Sequence, residues 1–292
     1  MPRYLAALLT LLWATLAHAQ FTGPGHLDVL LATPDVDPGP GVTRKITTAF
    51  NGDVAFYLDN LGGPPIDGTT GYMIWPGRFG EFPGVNEFVT GTDDPGFQAF
   101  AGAFGPREWV FYRAIGALER WDPVTGHWGR PSGGEHIALY GGLPPELVIP
   151  CGTLSPPAAC APYRDGTRFH ADGVSGPATA VVARTGTNGA LHAHLDWFLI
   201  DGTQTPPPGA YLVTLQIFST ATLDGVPRYL DSDPFHVLFD YNLSRDQFWT
   251  AFEARIHPVP EPETAAMFAA GILVMAAVAR RKVAARAARV VR

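Results

Sequence analysis

Short runs of alternating apolar and polar residues, separated by Gly and Pro, set the character of this chain. They fall at 27–32, 54–58, 72–75, 108–114, 137–140, 178–183, 191–200, 211–219 and 235–240. Successive side chains of a strand face opposite ways, so alternation over such lengths marks half-buried strands. The chain's 33 glycines and 28 prolines punctuate these runs as turn residues do. Many short strands between turns predict an all-β domain, a β-sandwich or jelly roll. Residues 206–209, Pro-Pro-Pro-Gly, lie between two of the strongest runs and predict a hairpin-like loop. One helical period stands out near the end of the domain. Ser244 is placed to cap it, and Gln247 three residues on completes a capping box. Phe248, Trp249 and Phe252 then form an apolar stripe at helical spacing. No internal repeat is visible.

The two ends follow a different logic. Arg3 precedes an apolar stretch at 5–16 and the small-x-small triplet Ala17-His18-Ala19. That order predicts a secretory signal peptide over residues 1–19. At the other end come Val259, Pro260, Glu261 and Pro262, an uncharged apolar run at 264–279, and the basic cluster Arg280, Arg281 and Lys282. The run has 16 residues, short of the roughly 20 that a helix needs to span a bilayer. The cluster behind it is of the kind held on the cytoplasmic side. This ending resembles the PEP-CTERM sorting signal of Gram-negative bacteria. The resemblance implies a partner, an exosortase, that cuts near the motif after the secretion machinery has exported the chain. It also implies a precursor held in the membrane by the C-terminal segment, and a mature protein in the cell envelope or extracellular matrix. Three parts are expected: the signal peptide, a β domain over residues 20–257, and a sorting segment over 258–292 with a hydrophobic helix.

Removing the two ends changes the charge. Residues 20–260 hold 13 basic and 25 acidic residues, a net charge of −12. Such a surface repels nucleic acid and anionic lipid and tolerates cations. The chain has two cysteines, Cys151 and Cys160, in one Pro-rich stretch. Outside the cytoplasm these are expected to pair and staple that loop.

Candidate chemistry concentrates in histidines. In His192-Ala-His194-Leu-Asp196-Trp197, alternation puts His192, His194 and Asp196 on one face of a strand. Ala193, Leu195 and Trp197 take the other face. Near the start, His26 and Asp28 share a face in the same way. If the two strands are neighbours, imidazoles and carboxylates converge in a donor set suited to Zn²⁺. A merely polar wet face remains the competing explanation for these residues. The acidic turns at 92–97 and 231–233 offer oxygen donors of the type Ca²⁺ takes, though turns are built from such residues in any case. His127, His136 and His170 stand isolated near Gly and Pro.

The blocks Gly25-His26-Leu27-Asp28, His192-x-His194-x-Asp196-Trp197, Gly209-x-Tyr211 and Asn242-Leu243-Ser244 also resemble a group of anchored bacterial surface proteins. Some of these are zinc-responsive. That likeness implies zinc scavenging or display and implies no catalytic activity. No G-x-S-x-G elbow, phosphate loop or H-E-x-x-H helix is present. An extracellular metallohydrolase is the weakest of the candidate functions, because no general base can be named. The expectation is a non-enzymatic surface protein binding a divalent metal. The alternative is a structural or carbohydrate-binding matrix component, its partner an extracellular polysaccharide met by surface aromatics.

Overall fold

A computed structural model describes residues 28–35, 44–50, 65–81, 90–142, 160, 166–202, 205–257 and 275. The expected signal peptide, the run at 54–58, His26, Cys151 and all but Met275 of the sorting segment lie outside the described residues.

The domain is all-β, as the alternation predicts. Its central sheet has the order Thr179–Arg184, Trp109–Asp122, Gly209–Ser219, Phe235–Tyr241, Met73–Arg78. The last pair is parallel and the others antiparallel. Both faces of this sheet are covered. Tyr211, Val213, Leu215 and Ile217 enter the main core, while Ala210 and Leu212 enter a second core on the opposite face. This two-sided burial explains why Phe235–Tyr241 is buried at every position. The second core is closed by the helix Arg245–Ile256 through Ala251 and Phe252. That helix begins at the predicted capping box, with Ser244 and Gln247 satisfying each other's backbone N–H groups.

Two further sheets close the main core. One runs Gly173–Ser175, Thr167–His170, His136–Tyr140, Asp196–Ile200, Thr90–Thr92, Gly80–Glu81. It contributes Ile137, Leu139, Phe169, Trp197 and Leu199. The other runs Leu191–Ala193, Phe97–Ala99, Val29–Ala32, Thr47–Phe50. It contributes Val29, Leu31, Phe97, Ala99 and Leu191 to the same cluster. Truncating a fully buried ring such as Phe97 to Ala would cost about 3–5 kcal/mol.

Two expectations from the alternation are corrected. The run at 191–200 is not one strand. Leu191–Ala193 belongs to the four-stranded sheet and Asp196–Ile200 to a six-stranded one. The chain changes sheet at His194 and Leu195. Alternation persists through the crossover because Leu191, Leu195 and Trp197 all still face the core. Periodicity reports which side is wet, not which sheet a residue joins. The Pro-rich segment at 206–209 is likewise not a hairpin loop. It lies between Asp196–Ile200 and Gly209–Ser219, which sit in different sheets.

Candidate metal centre

The crossover at 193–195 runs beside a second one in the opposite sense. Thr90–Thr92 pairs with Asp196–Ile200 in one sheet, and Phe97–Ala99 pairs with Leu191–Ala193 in the other. The link between them, Asp93-Asp94-Pro95-Gly96, is therefore held against His194 from both sides. Val29–Ala32 lies along the far edge of Phe97–Ala99 in parallel, with Val29 N–H donating to the Gly96 carbonyl at 2.8 Å. Asp28, Gly96 and His194 thus stand in a row at one end of the sheet.

The expected neighbour relation needs correcting here. The strands carrying Asp28 and His192 are not adjacent; they flank Phe97–Ala99. Asp28 meets the histidine pair all the same, because the residue between Asp28 and His194 is a glycine. A Cβ on Gly96 would lie 2.5 Å from Asp28 Oδ1 and 2.8 Å from His194 Cε1. Real Cβ atoms do not approach so closely, so only Gly leaves the two side chains free to converge over the middle strand.

The resulting geometry is tight. His192 Nε2 lies 3.1 Å from His194 Nε2 and 3.2 Å from Asp28 Oδ2. His194 Nε2 lies 3.8 Å from Asp28 Oδ1. Four-coordinate zinc holds its ligands at about 2.0–2.1 Å, which puts neighbouring donors roughly 3.3 Å apart. The observed separations bracket that edge length. Asp28 is 3% exposed, and its Oδ1 is buried with no hydrogen-bond partner among the described residues. A single proton on His192 Nε2 can serve only one of its two acceptors at a time. A cation at the centre serves all three donors.

The other sequence-predicted residues divide clearly. His192 and His194 come together with Asp28 in a group whose ligand atoms all lie within 4.8 Å. Asp196, expected to share their face, opens the next strand, is exposed, and is in neither acid–histidine group among the described residues. Although the residue is exposed as a whole, partial desolvation of its carboxyl, followed by the nearby charge of Asp93, raises it above the usual range. The acidic turn at 92–97 joins the cluster instead. Asp93 and Asp94 group with His194, whose Nδ1 is 3.0 Å from the Asp93 carbonyl and 3.5 Å from Asp94 Oδ1. The turn at 231–233 is taken up by ion pairs, Asp231 with Arg113 at 3.0 Å and Asp233 with Lys45 at 2.7 Å. His136 and His170 sit opposite each other on paired strands with rings stacked at 4.8 Å. His127 is exposed on a short outer strand. Gly96 was not legible as a site residue; the only signal was its place in an Asp-Asp-Pro-Gly turn before a short apolar run.

Residues 258–282 match the PEP-CTERM protein-sorting motif. The chain thus carries the signal of a protein processed by an exosortase and destined for the cell envelope or the outside of a Gram-negative bacterium. None of the curated proteins matches the chain. Among solved structures it is similar to the crystal structure of the CupB6 tip adhesin from Pseudomonas aeruginosa, at 17% identity and a TM-score of 0.26. The match covers 72% of this chain and 52% of that one, so this chain spans about half of it. At that TM-score the likeness carries no functional argument. Among the described residues no helix is long and apolar enough to cross a membrane.

Proposed function

We propose that the chain is a non-enzymatic surface protein, sorted by its tail, whose β domain binds one divalent cation. Asp28, His192 and His194 supply the donors. His26, two residues before Asp28 in the sequence, lies outside the described residues and is the expected fourth donor. Two imidazoles and a carboxylate match zinc better than calcium, which takes oxygen ligands. The observation that carries this is a buried carboxylate that meets one imidazole nitrogen at 3.2 Å through Oδ2 and the other at 3.8 Å through Oδ1, the two nitrogens lying 3.1 Å apart and Oδ1 having no hydrogen-bond partner among the described residues.

Metal analysis of the purified protein tests it. About one zinc per chain is expected, with most of it lost in His192→Ala or His194→Ala and retained in His136→Ala. A wild-type protein free of zinc after dialysis against a trace of the metal would sink the proposal. Processing follows from the tail: the mature protein should lack residues 1–19 and the part beyond roughly Pro262, as read by intact mass. An uncut C-terminus would leave a plain membrane anchor. Cys160 is buried and carries no free thiol. We assign its partner as Cys151; a free thiol at Cys151, labelled by alkylation without reductant, would refute the pairing.

One observation favours a second use of the same face. A groove of about 370 Å³ beside His192 is lined by Gln98, Phe100, Asn188 and Leu191. Phe100 is 58% exposed there. An aromatic face flanked by amides fits a neutral sugar, as the matrix-component alternative requires. Loss of polysaccharide binding in Phe100→Ala, with zinc content unchanged, would separate the two uses.

A further inference from the structure

The second acid–histidine group, Asp93, Asp94 and His194, has the composition of a cation site in its own right. Its geometry points elsewhere. We propose that Asp94, together with the Asp93 carbonyl, is a positioning element for the metal centre: the carbonyl holds His194 by Nδ1, the Asp94 carboxylate adds its charge 3.5 Å away without hydrogen-bonding to that nitrogen, and Nε2 is so aimed at the ion. This rests on the zinc centre proposed above.

A backbone carbonyl only accepts hydrogen bonds. With the Asp93 carbonyl 3.0 Å from His194 Nδ1, the neutral ring carries its proton on Nδ1. Its lone pair is then on Nε2, the atom that faces His192 Nε2 and Asp28 Oδ1. The Asp94 carboxylate, 3.5 Å from the same Nδ1, adds negative charge behind the proton and makes Nε2 a better donor. Histidine ligands are commonly held this way by a carboxylate or carbonyl on the far nitrogen. A second ion between Asp93 and Asp94 would need the Nδ1 lone pair, which the proton occupies. The two groups are therefore one centre and its outer support.

The fold supplies the rigidity this role needs. Trp197 pairs with Thr92 just before the Asp93-Asp94 link, and Ala193 pairs with Phe97 just after it. The backbone N–H of Asp94 donates to Thr92 Oγ1 at 3.1 Å. The link cannot drift from His194 without breaking ladder pairs on either side. Among the described residues nothing comparable holds His192, whose side chain is 55% exposed against 21% for His194.

The test compares wild-type protein with Asp94→Asn and Asp94→Glu. Zinc affinity is measured by competition with a chelator, and the His194 tautomer by ¹⁵N chemical shifts without metal. Asp94→Asn should weaken zinc binding about 10- to 100-fold while leaving zinc-free thermal unfolding unchanged. Asp94→Glu should recover most of the affinity. Metal-free wild-type protein should show the Nδ1–H tautomer of His194. Wild-type affinity in Asp94→Asn, or an Nε2–H tautomer in the wild type, overturns the positioning role and leaves the zinc centre standing. A wild-type protein that takes up no zinc overturns the centre and this role with it.

Discussion

Two buried aspartates, Asp67 and Asp28, answer the same physical problem in opposite ways. Asp67 is 0% exposed and Asp28 3%. Asp67 Oδ1 accepts from the backbone N–H groups of Thr69 and Thr70 at 2.7 and 2.9 Å. Its Oδ2 is paired with the Arg255 guanidinium and lies 3.2 Å from His236 Nε2. Burial pushes its carboxyl up, but His236, the two N–H groups and Arg255 together outweigh burial and hold it well below the usual carboxylate range. The same Arg255 reaches Glu119 at 2.7 Å and so fastens the C-terminal helix to the central sheet. Among the described residues Asp28 has no such cation: its ion-pair partners there are the two imidazoles, and one oxygen has no hydrogen-bond partner among them. A buried charge left without compensation costs on the order of several kcal/mol. The protein completes the Asp67 cluster from its own side chains. At Asp28 the described side chains do not, and on the reading proposed above an ion would complete the cluster.

The contrast predicts opposite mutational signatures. The largest effect belongs to Asp67. Asp67→Asn removes the carboxylate from a fixed buried guanidinium, and should destabilise the protein by about 3–5 kcal/mol in denaturant unfolding. Zinc content should not change. A loss below about 1 kcal/mol would mean that Glu119 and water, without Asp67, are enough to satisfy Arg255.

Gly96→Ala sharpens the other side. Its Cβ would push Asp28 and His194 apart at distances neither can accept. Zinc binding should be lost, at a stability cost of about 1–3 kcal/mol typical of an overpacked site. Full zinc affinity in the folded variant would show that Asp28 and His194 do not share an ion.

The smallest effect is a separation of pH windows. The folded carboxyl of Asp67 is depressed, so its stabilisation is present above its unfolded value near about 3.9 and is lost as pH falls from there toward the folded value. The stability gap between wild type and Asp67→Asn should therefore close only below about pH 4. Protons compete with zinc for imidazole, so zinc-dependent stabilisation should fade earlier, below about pH 6. Unfolding series across pH with and without zinc read both windows. Coincident windows would mean that the two clusters do not act separately.

The longer strands and the capped helix were legible in the sequence because alternation and capping are local properties; short strands such as Thr90–Thr92, Phe97–Ala99 and Thr167–His170 were not. Spacing by two put His192 with His194 on one face, and His26 with Asp28 on another, but that Asp28 meets the two histidines depends on Gly96 and on the strand that separates them, which no spacing shows. The sequence could not disclose the sheet change at His194 and Leu195, since side-chain alternation runs through it unbroken. Nor could it disclose that Asp93 and Asp94 back His194. That contact depends on two crossovers lying side by side, and the strand Phe97–Ala99 between them is only three residues long. Asp67 escaped notice altogether, because Arg255 lies 188 residues away and no periodicity links them.

The most direct measurement is the thermal unfolding of wild type and Asp28→Asn, each with and without zinc. Zinc at about a hundredfold above its dissociation constant should stabilise wild type by ~2.7 kcal/mol and leave Asp28→Asn unmoved. Without zinc, Asp28→Asn should be at least as stable as wild type, because it removes a buried charge that the protein does not compensate. A zinc-free Asp28→Asn protein that is several kcal/mol less stable than wild type would contradict this: Asp28 would then be satisfied by the protein itself, as Asp67 is.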